Sequence, residues 1–531
     1  MTSDLPPAAS DHRPNILFIM SDDHASNAIS AYGGILAGVA PTLNIDRIAR
    51  SGLRMDNCFC SNSICTPSRA TILTGQHSHI NKVLTLGQSL PEQARLLSEI
   101  LQEHGYQTAV FGKWHLHCRP RGFDQWAVLP GQGLYFDPVF LYPGPDQVPR
   151  SAQPLNIKDL KNYEQPDARD CTIVREAGYV TDLITDKTLD WLKNRDDNRP
   201  FFLCCHHKAP HDNFEYPRRL EDYLQDVEIP EPQTLFEDPE ALKEISRRYG
   251  SSMSQRWEPR NAVKSLRRGD FPQYGPVDFE GLGPDAATRK AYQLYLKIYL
   301  RAVRGIDENV GRVLDYLDET GLAENTIVIY TSDQGMLLGE HDKIDKRWIF
   351  DEAQRMPLLV QYPGHIPSGS ASDALVDNTD FAPTLLDFAG IEVPDWMQGR
   401  SFRGALSEPG TGGKDVVYYR YWMHMMHHWV PAHYGIRTKD HKLIFFYGMK
   451  LDAHGCFESG PWSENSEPGL ELYDLRSDPL EKRNLIHDPA CADVASRMKR
   501  LLLQTKAALG DSDERYPELL QLQRQYLGQY L

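Results

Sequence analysis

Four short apolar runs, each broken off by a burst of polar residues, set the strongest limit on what this chain can fold into. Ile16–Met20 (ILFIM) runs into Ser21-Asp22-Asp23-His24, and Thr108–Phe111 (TAVF) into Gly112-Lys113-Trp114-His115. Phe201–Cys205 (FFLCC) runs into His206-His207-Lys208-Ala209-Pro210-His211, and Thr326–Tyr330 (TIVIY) into Thr331-Ser332-Asp333-Gln334-Gly335. Continuous apolar runs of this length read as strands buried on both faces. Between them lie helical patterns. Val303, Ile306, Val310, Val313, Leu314 and Leu317 follow helical spacing, and Gly321 suits a C-cap just before the TIVIY strand. Strand alternating with helix predicts an α/β fold, a large, mostly parallel, doubly wound sheet sandwiched by helices. Ligands in such sheets bind beyond the carboxyl ends of the strands, so the four polar bursts point to one shared pocket.

The rest of the chain reads as additions to that core. Residues from about 215 to 284 are rich in Pro, Arg, Asp and Glu with little periodicity, as in a long insertion over the sheet that shapes a binding site. After about Gly399 the texture changes. Val416–Trp422, His433–Thr438, Lys442–Tyr447 and Leu470–Leu475 read as short strands between turn residues. A helix over about Ala492–Leu509 follows, with Val494, Met498, Leu501, Leu502 and Ala508 as its buried stripe. These patterns predict a catalytic α/β domain over 1–400 and a smaller α+β domain with an antiparallel sheet over 401–531.

Composition excludes several classes. The balance of 57 basic against 73 acidic residues, −16 net, argues against a general nucleic-acid binder. No stretch approaches the ~20 apolar residues that cross a bilayer, and Met1 to Pro14 lacks the apolar core of a signal peptide. The nine cysteines are scattered and odd in number, which fits a reducing compartment. The expectation is a cytoplasmic protein with no membrane partner; whether it forms a homo-oligomer is left open.

The most informative segment is Cys65-Thr66-Pro67-Ser68-Arg69-Ala70-Thr71-Ile72-Leu73-Thr74-Gly75. Pro67 suits the first turn of a helix and Gly75 its end. Cys65 then sits at the helix N-terminus, where free N–H groups favour negative charge, with Arg69 one turn on along the same face. C-x-P-S-R-x(4)-T-G resembles the signature of the type I sulfatases of the alkaline-phosphatase superfamily. The resemblance extends through Pro14-Asn15-Ile16 to Asp22-Asp23, Gly112-Lys113-Trp114-His115, Ala209-Pro210-His211, Ser332-Asp333-Gln334-Gly335 and Gly339-Glu340-His341…Asp345-Lys346-Arg347. It continues into Tyr434-Gly435-Ile436-Arg437-Thr438 and Glu471-Leu472-Tyr473-Asp474-Leu475, and so covers nearly the whole chain.

The resemblance implies that Cys65 is oxidised by a formylglycine-generating maturation enzyme to an aldehyde whose hydrate is the nucleophile. It implies a cation held by Asp22, Asp23, Asp333, Gln334 and residue 65. Hard carboxylate and amide oxygens suit Ca²⁺, and Mg²⁺ less well. Many relatives carry Asn or His where Gln334 stands. Arg69, Lys113 and Lys346 would neutralise charge on the sulfate. His211 would protonate the leaving alcohol, and His115 would act as base or hydrogen-bond partner of the second hydroxyl. Lys343 competes with Lys346, and His206 and His207 compete with His211.

In wording the chain is most similar to bacterial N-acetylglucosamine-6-sulfatases, which implies a sulfated carbohydrate or small-molecule substrate. Lys208, His433 and Arg437 are candidates for binding it, although a sheet-edge salt bridge accounts for Arg437 equally well. The tract Trp422–Trp429 (WMHMMHHW) reads as an aromatic pocket wall or interface loop rather than a metal-binding tract. Two rival functions stay open: a phosphodiesterase or phosphonate monoester hydrolase of the same superfamily, and a non-catalytic, metal-stabilised binding protein.

Overall fold

The computed structural model describes residues 13–148, 153–154, 170–238, 240–451 and 464–528. Most of the polar start read from the sequence, and Cys456, lie outside the described residues. The four apolar runs form neighbouring strands, Thr326–Ser332, Asn15–Ser21, Phe201–His206 and Gln107–Lys113, in that spatial order and all parallel. The register sets Ser21 against Ser332, Met20 against His206, and His206 against Gly112. All four polar bursts therefore leave the sheet from one edge.

The first strand shows why its run carries no alternation. Ile16, Phe18 and Met20 enter one core cluster and Leu17 and Ile19 another, so both faces of the strand are covered. The first face is packed by the helices Cys65–Thr74 and Phe381–Phe388, through Ala70, Ile72 and Phe381. The second is packed by Val180–Asn194 and the 37-residue Pro284–Thr320, through Ile184, Trp191, Ile306 and Val310. Pro284 opens that long helix at its first turn, and Gly321, at φ 72°, closes it in the left-handed region. A short 3-10 turn, Leu322–Asn325, separates it from the strand that follows.

Seven further strands extend the sheet to eleven. The sequence reading missed them, because most are short. Leu358–Gln361 runs antiparallel beside Thr326–Ser332, while Gln125–Leu129 pairs parallel with Gln107–Lys113. The segment read as an insertion over 215–284 contributes 3-10 turns and short helices. It packs Leu220, Met253, Val263 and Phe271 against Tyr295 and Tyr299 of the long helix in a cluster of its own.

The four later strands form a separate antiparallel sheet, Val417–Tyr421, His433–Arg437, His441–Phe446 and Gly469–Asp474. One face joins the large core through Tyr419, Tyr421, Ile444 and Phe446. The other is covered by the helices Ala492–Ala508 and Pro517–Leu527. The buried stripe of the first of these is Ala495, Met498, Leu502 and Leu503, with Lys506 buried at its end; this corrects the expected stripe by about one position. Lys506 follows the stripe because Asp513 takes its ammonium at 2.9 Å.

Candidate active site

Cys65 is the first residue of its helix and is buried at the edge where the four strands end. Its Sγ lies 3.4 Å from Asp22 Oδ1 and 3.9 Å from both Lys113 Nζ and Gln334 Nε2. The helix is held there from three sides. Ser68 donates to the Asp333 carbonyl and accepts from Asn378 at 2.9 Å, while Arg69 donates from Nε to Asp333 Oδ2 at 2.9 Å and from Nη1 to the Lys113 carbonyl at 2.7 Å. Gly75, at φ 64°, ends the helix as a left-handed C-cap.

Around the sulfur, carboxylates and cations alternate. Asp22 is bonded by Lys113, and Asp23 by Lys346 and Gln334; the Asp23 backbone N–H donates to Asp333 Oδ1 at 3.2 Å. Asp22, Asp23 and Asp333 bring carboxylate oxygens within 4.8 Å of one another, as do ligand atoms of Asp22, Cys65 and His211. Every one of these side chains is buried.

Three carboxylates so close in a buried site repel one another, and the shifts of Asp22 and Asp333 show how those two share the repulsion. Burial pushes Asp22 up, but Lys113, His211, Arg69 and Lys346 outweigh it and hold Asp22 well below the ordinary carboxylate range. Asp333 has less help. Burial and then the Asp22 charge raise it to about 7 against the pull of Arg69. A carboxyl that keeps its proton near neutrality, beside two carboxylates and a buried Gln334 Oε1 that accepts no hydrogen bond among the described residues, is a set of hard oxygens short of positive charge. A divalent cation fits that deficit, and the all-oxygen donors fit Ca²⁺ or Mg²⁺ better than a thiolate- or imidazole-seeking metal. Burial, and then Asp22, push the Cys65 thiol far up, so the unmodified side chain is a neutral thiol with little nucleophilic character.

The remaining expected residues fall into two groups. His211 Nε2 stands 3.7 Å from Asp23 Oδ2, whereas His206 faces the Lys113 carbonyl at 3.3 Å and His207 the Cys205 sulfur at 3.6 Å. Lys346 reaches Asp23, whereas Lys343 donates to the Tyr249 carbonyl at 2.6 Å and lies over the Trp348 ring. His115 is buried at the same strand end, kept neutral by burial and then by the Lys113 ammonium, and its Nδ1 has no hydrogen-bond partner among the described residues. The Lys208 ammonium lies 4.4 Å over the Tyr135 ring; burial and then Lys113 lower it to about 8.

The other two substrate-binding expectations are corrected. His433 is fully buried, stacked between Trp348 and Tyr419, with Nδ1 2.7 Å from the Pro431 carbonyl, so it packs the interface between the sheets. Arg437 is committed to a bidentate pair with Asp351, both contacts 3.1 Å, over the Phe59 ring. In the tract Trp422–Trp429 the histidines diverge: His424 meets the Glu464 carbonyl at 3.0 Å, and His428 meets Asp345 at 3.2 Å. Sequence reasoning missed Gln132, whose Oε1 accepts from Lys113 Nζ at 2.5 Å. Its signal is faint, a Gly131-Gln132-Gly133 loop just beyond a strand end.

Comparison with known proteins agrees with this geometry. The family described as "Sulfatase" matches residues 14–391, and "N-sulphoglucosamine sulphohydrolase, C-terminal" matches 339–459. The chain is 37% identical to the N-acetylglucosamine-6-O-sulfatase of Bacteroides thetaiotaomicron, over 94% of this chain and 88% of that one. It is 26% identical to an arylsulfatase of Clostridium perfringens, over 93% and 94%. Among solved structures it superimposes on BT4656, in complex with its substrate D-glucosamine-2-N,6-O-disulfate, with TM-score 0.80 and 36% identity over 95% of this chain and 100% of that one. A phosphonate monoester hydrolase of Silicibacter pomeroyi shares the fold at TM-score 0.68 and 20% identity, over 95% and 97%. With Cys65, the carboxylate triad and the cations meeting at one sheet edge, and with such relatives along nearly its whole length, the chain belongs to the sulfatase family and is an alkaline-phosphatase-like sulfuric ester hydrolase.

Proposed function

We propose that the protein hydrolyses a sulfate monoester of a carbohydrate, a 6-sulfated glucosamine or N-acetylglucosamine or a close relative. The observation that carries the reading is the meeting of Cys65 with Asp22, Asp23, Asp333 and three buried cations at the ends of four adjacent parallel strands. The sugar class comes from the 37% identical relative and from the D-glucosamine-2-N,6-O-disulfate bound by BT4656.

Asp22, Asp23, Asp333 and Gln334 would hold a calcium ion, which when bound supplies positive charge to the sulfate oxygens and to the attacking oxygen. Oxidation of Cys65 by a maturation enzyme to formylglycine supplies, on hydration, one hydroxyl to attack sulfur and a second whose deprotonation releases sulfate. The chain's own residues do the rest. Arg69, paired with Asp333, and Lys346, paired with Asp23, would neutralise the negative charge of the sulfate oxygens as it redistributes in the transition state. Lys113, anchored by Asp22 and Gln132, stands 3.9 Å from the side-chain atom of residue 65 and can hold the attacking oxygen in place. His211 offers Nε2 as proton donor to the leaving sugar oxygen. His115, buried and neutral, is the candidate acceptor for the proton of the second hydroxyl. Lys208 is the candidate for an anionic or hydroxyl group of the sugar.

The test is sulfate release from sulfated monosaccharides by protein produced with the maturation enzyme. Glucosamine 6-sulfates should turn over faster than 2-, 3- or 4-sulfated sugars and faster than a phosphonate monoester. Preference for the phosphonate ester would overturn the reading.

A further inference from the structure

The imidazole of His211 is held from behind. Its Nδ1 lies 2.8 Å from Asp212 Oδ1 and 2.7 Å from the Asp212 main-chain oxygen, while Nε2 faces Asp23 at 3.7 Å. The other carboxylate oxygen of Asp212 accepts from Arg260 Nη2 at 3.3 Å. Both groups behind Nδ1 are acceptors only, so the hydrogen of that nitrogen is fixed and the ring has one direction left for Nε2. Arg260 comes from the segment between 215 and 284, and so ties that segment to the strand end that carries His211.

We infer that Asp212, braced by Arg260, is a positioning residue that aims His211 Nε2 at the leaving oxygen of the substrate. The inference rests on the proposed sulfatase reaction. In the step concerned, the deprotonated oxygen of residue 65 bonds to sulfur. The sulfur–oxygen bond to the sugar breaks with its electron pair on the sugar oxygen, and the doubly protonated ring gives its Nε2 proton to that oxygen, leaving the free alcohol and a neutral imidazole with its hydrogen on Nδ1. An imidazole that swings freely serves this step poorly, because proton transfer needs a donor within hydrogen-bond reach of the oxygen. Asp212 and Arg260 are each about one-third exposed, so solvent screens their pairing. The effect is accordingly one of direction, smaller than the loss of the acid itself.

The experiment compares two esters with the matured, calcium-loaded enzyme. Nitrophenolate leaves without protonation, whereas a sugar alkoxide does not. Asp212→Ala should lower kcat on glucosamine 6-sulfate about 30-fold, less than the roughly 100-fold or more that a general acid supplies, with KM changed less than about 2-fold. Turnover of 4-nitrophenyl sulfate should change less than about 3-fold under the same comparison. Asp212→Asn, which keeps an acceptor oxygen, should recover part of the loss, and Arg260→Ala should give a weaker loss of the same selectivity. Equal losses on both esters, or none, would overturn the inference. A crystal structure of Asp212→Ala gives a readout independent of turnover: the inference expects the imidazole turned away from Asp23. An unmoved ring would overturn it, whereas a parent protein inactive on both esters counts against the sulfatase reading instead.

Discussion

Asp22, Asp23 and Asp333 at the strand ends, and Asp351 and Glu481 beneath the four-stranded sheet, are all buried carboxylates surrounded by lysine and arginine. In the second group Asp351 is held by an arginine and a lysine at once, whereas Glu481 has only Lys442 as a cation, is raised by burial, and leaves Oε1 without a hydrogen bond among the described residues. Asp351 accepts from Arg437 at 3.1 Å and from Lys442 at 2.8 Å, and Glu481 accepts from Lys442 and the Asp351 N–H, both at 2.9 Å. Burial raises Asp351, but Arg437 and Lys442 outweigh it and hold it well below the ordinary range. In the first group Asp333 is left at about 7 and, among the described residues, the Gln334 oxygen accepts no hydrogen bond. Neither buried charge nor one incomplete carboxylate therefore marks a site; the strand ends differ in bringing three carboxylates together beside Cys65 at a helix N-terminus. Arg437 illustrates the distinction, since the sequence leaves it between the substrate and a sheet-edge salt bridge and the fold pairs it with Asp351.

The contrast can be broken at several points. Replacing Cys65 with Ala should have the largest effect, removing about 1,000-fold or more of sulfate release while the thermal midpoint stays within a few degrees. Retained turnover would end the strand-end half of the comparison. Asp333→Ala should lose bound calcium, read by elemental analysis of the purified protein, together with activity by a factor of about 100 or more. An active variant without calcium would show that the cluster is complete without a cation.

Arg437→Ala should behave in the opposite sense. Leaving Asp351 without its bidentate partner should cost about 3 kcal/mol in denaturant unfolding, while kcat/KM per folded molecule stays within about 2-fold. A selective loss of activity would return Arg437 to the substrate pocket.

The smallest expected effect is one of pH. Without calcium, Asp333 in the folded chain keeps a proton up to about 7 that the unfolded chain gives up near its ordinary value of 3.8. The folded state then binds more protons across that interval, so this group's contribution to stability falls as pH rises through it. A calcium ion bound by Asp333 would displace that proton, and the stabilisation it gives, measured as the rise in thermal midpoint, should grow over the same interval. A calcium effect independent of pH would contradict the assignment of Asp333 as a ligand.

Much of this was legible before any coordinates. An unbroken apolar run ending in charged residues already describes a doubly covered parallel strand and the edge where ligands bind, and the four runs lie side by side as expected. The helix from Cys65 to Gly75 was marked by its Pro and Gly. Short flanking strands such as Leu358–Gln361 were not legible, because four residues carry no period and their pairing is decided by distant neighbours. Gln132 and the Asp212–Arg260 brace escaped for a related reason: a hydrogen-bond partner 19 or 48 positions away leaves no local pattern. His433 was misread because a core imidazole and a pocket imidazole look alike in sequence, and its aromatic stack is assembled from three separate segments.

The central claim is that residue 65, once oxidised, is the group that attacks sulfur. Mass spectrometry of the peptide carrying residue 65, from a preparation that releases sulfate, tests it most directly. The predicted result is an aldehyde in place of the thiol, in proportion to activity across preparations. Full sulfate release from protein in which every copy of that peptide still carries the cysteine thiol would contradict it.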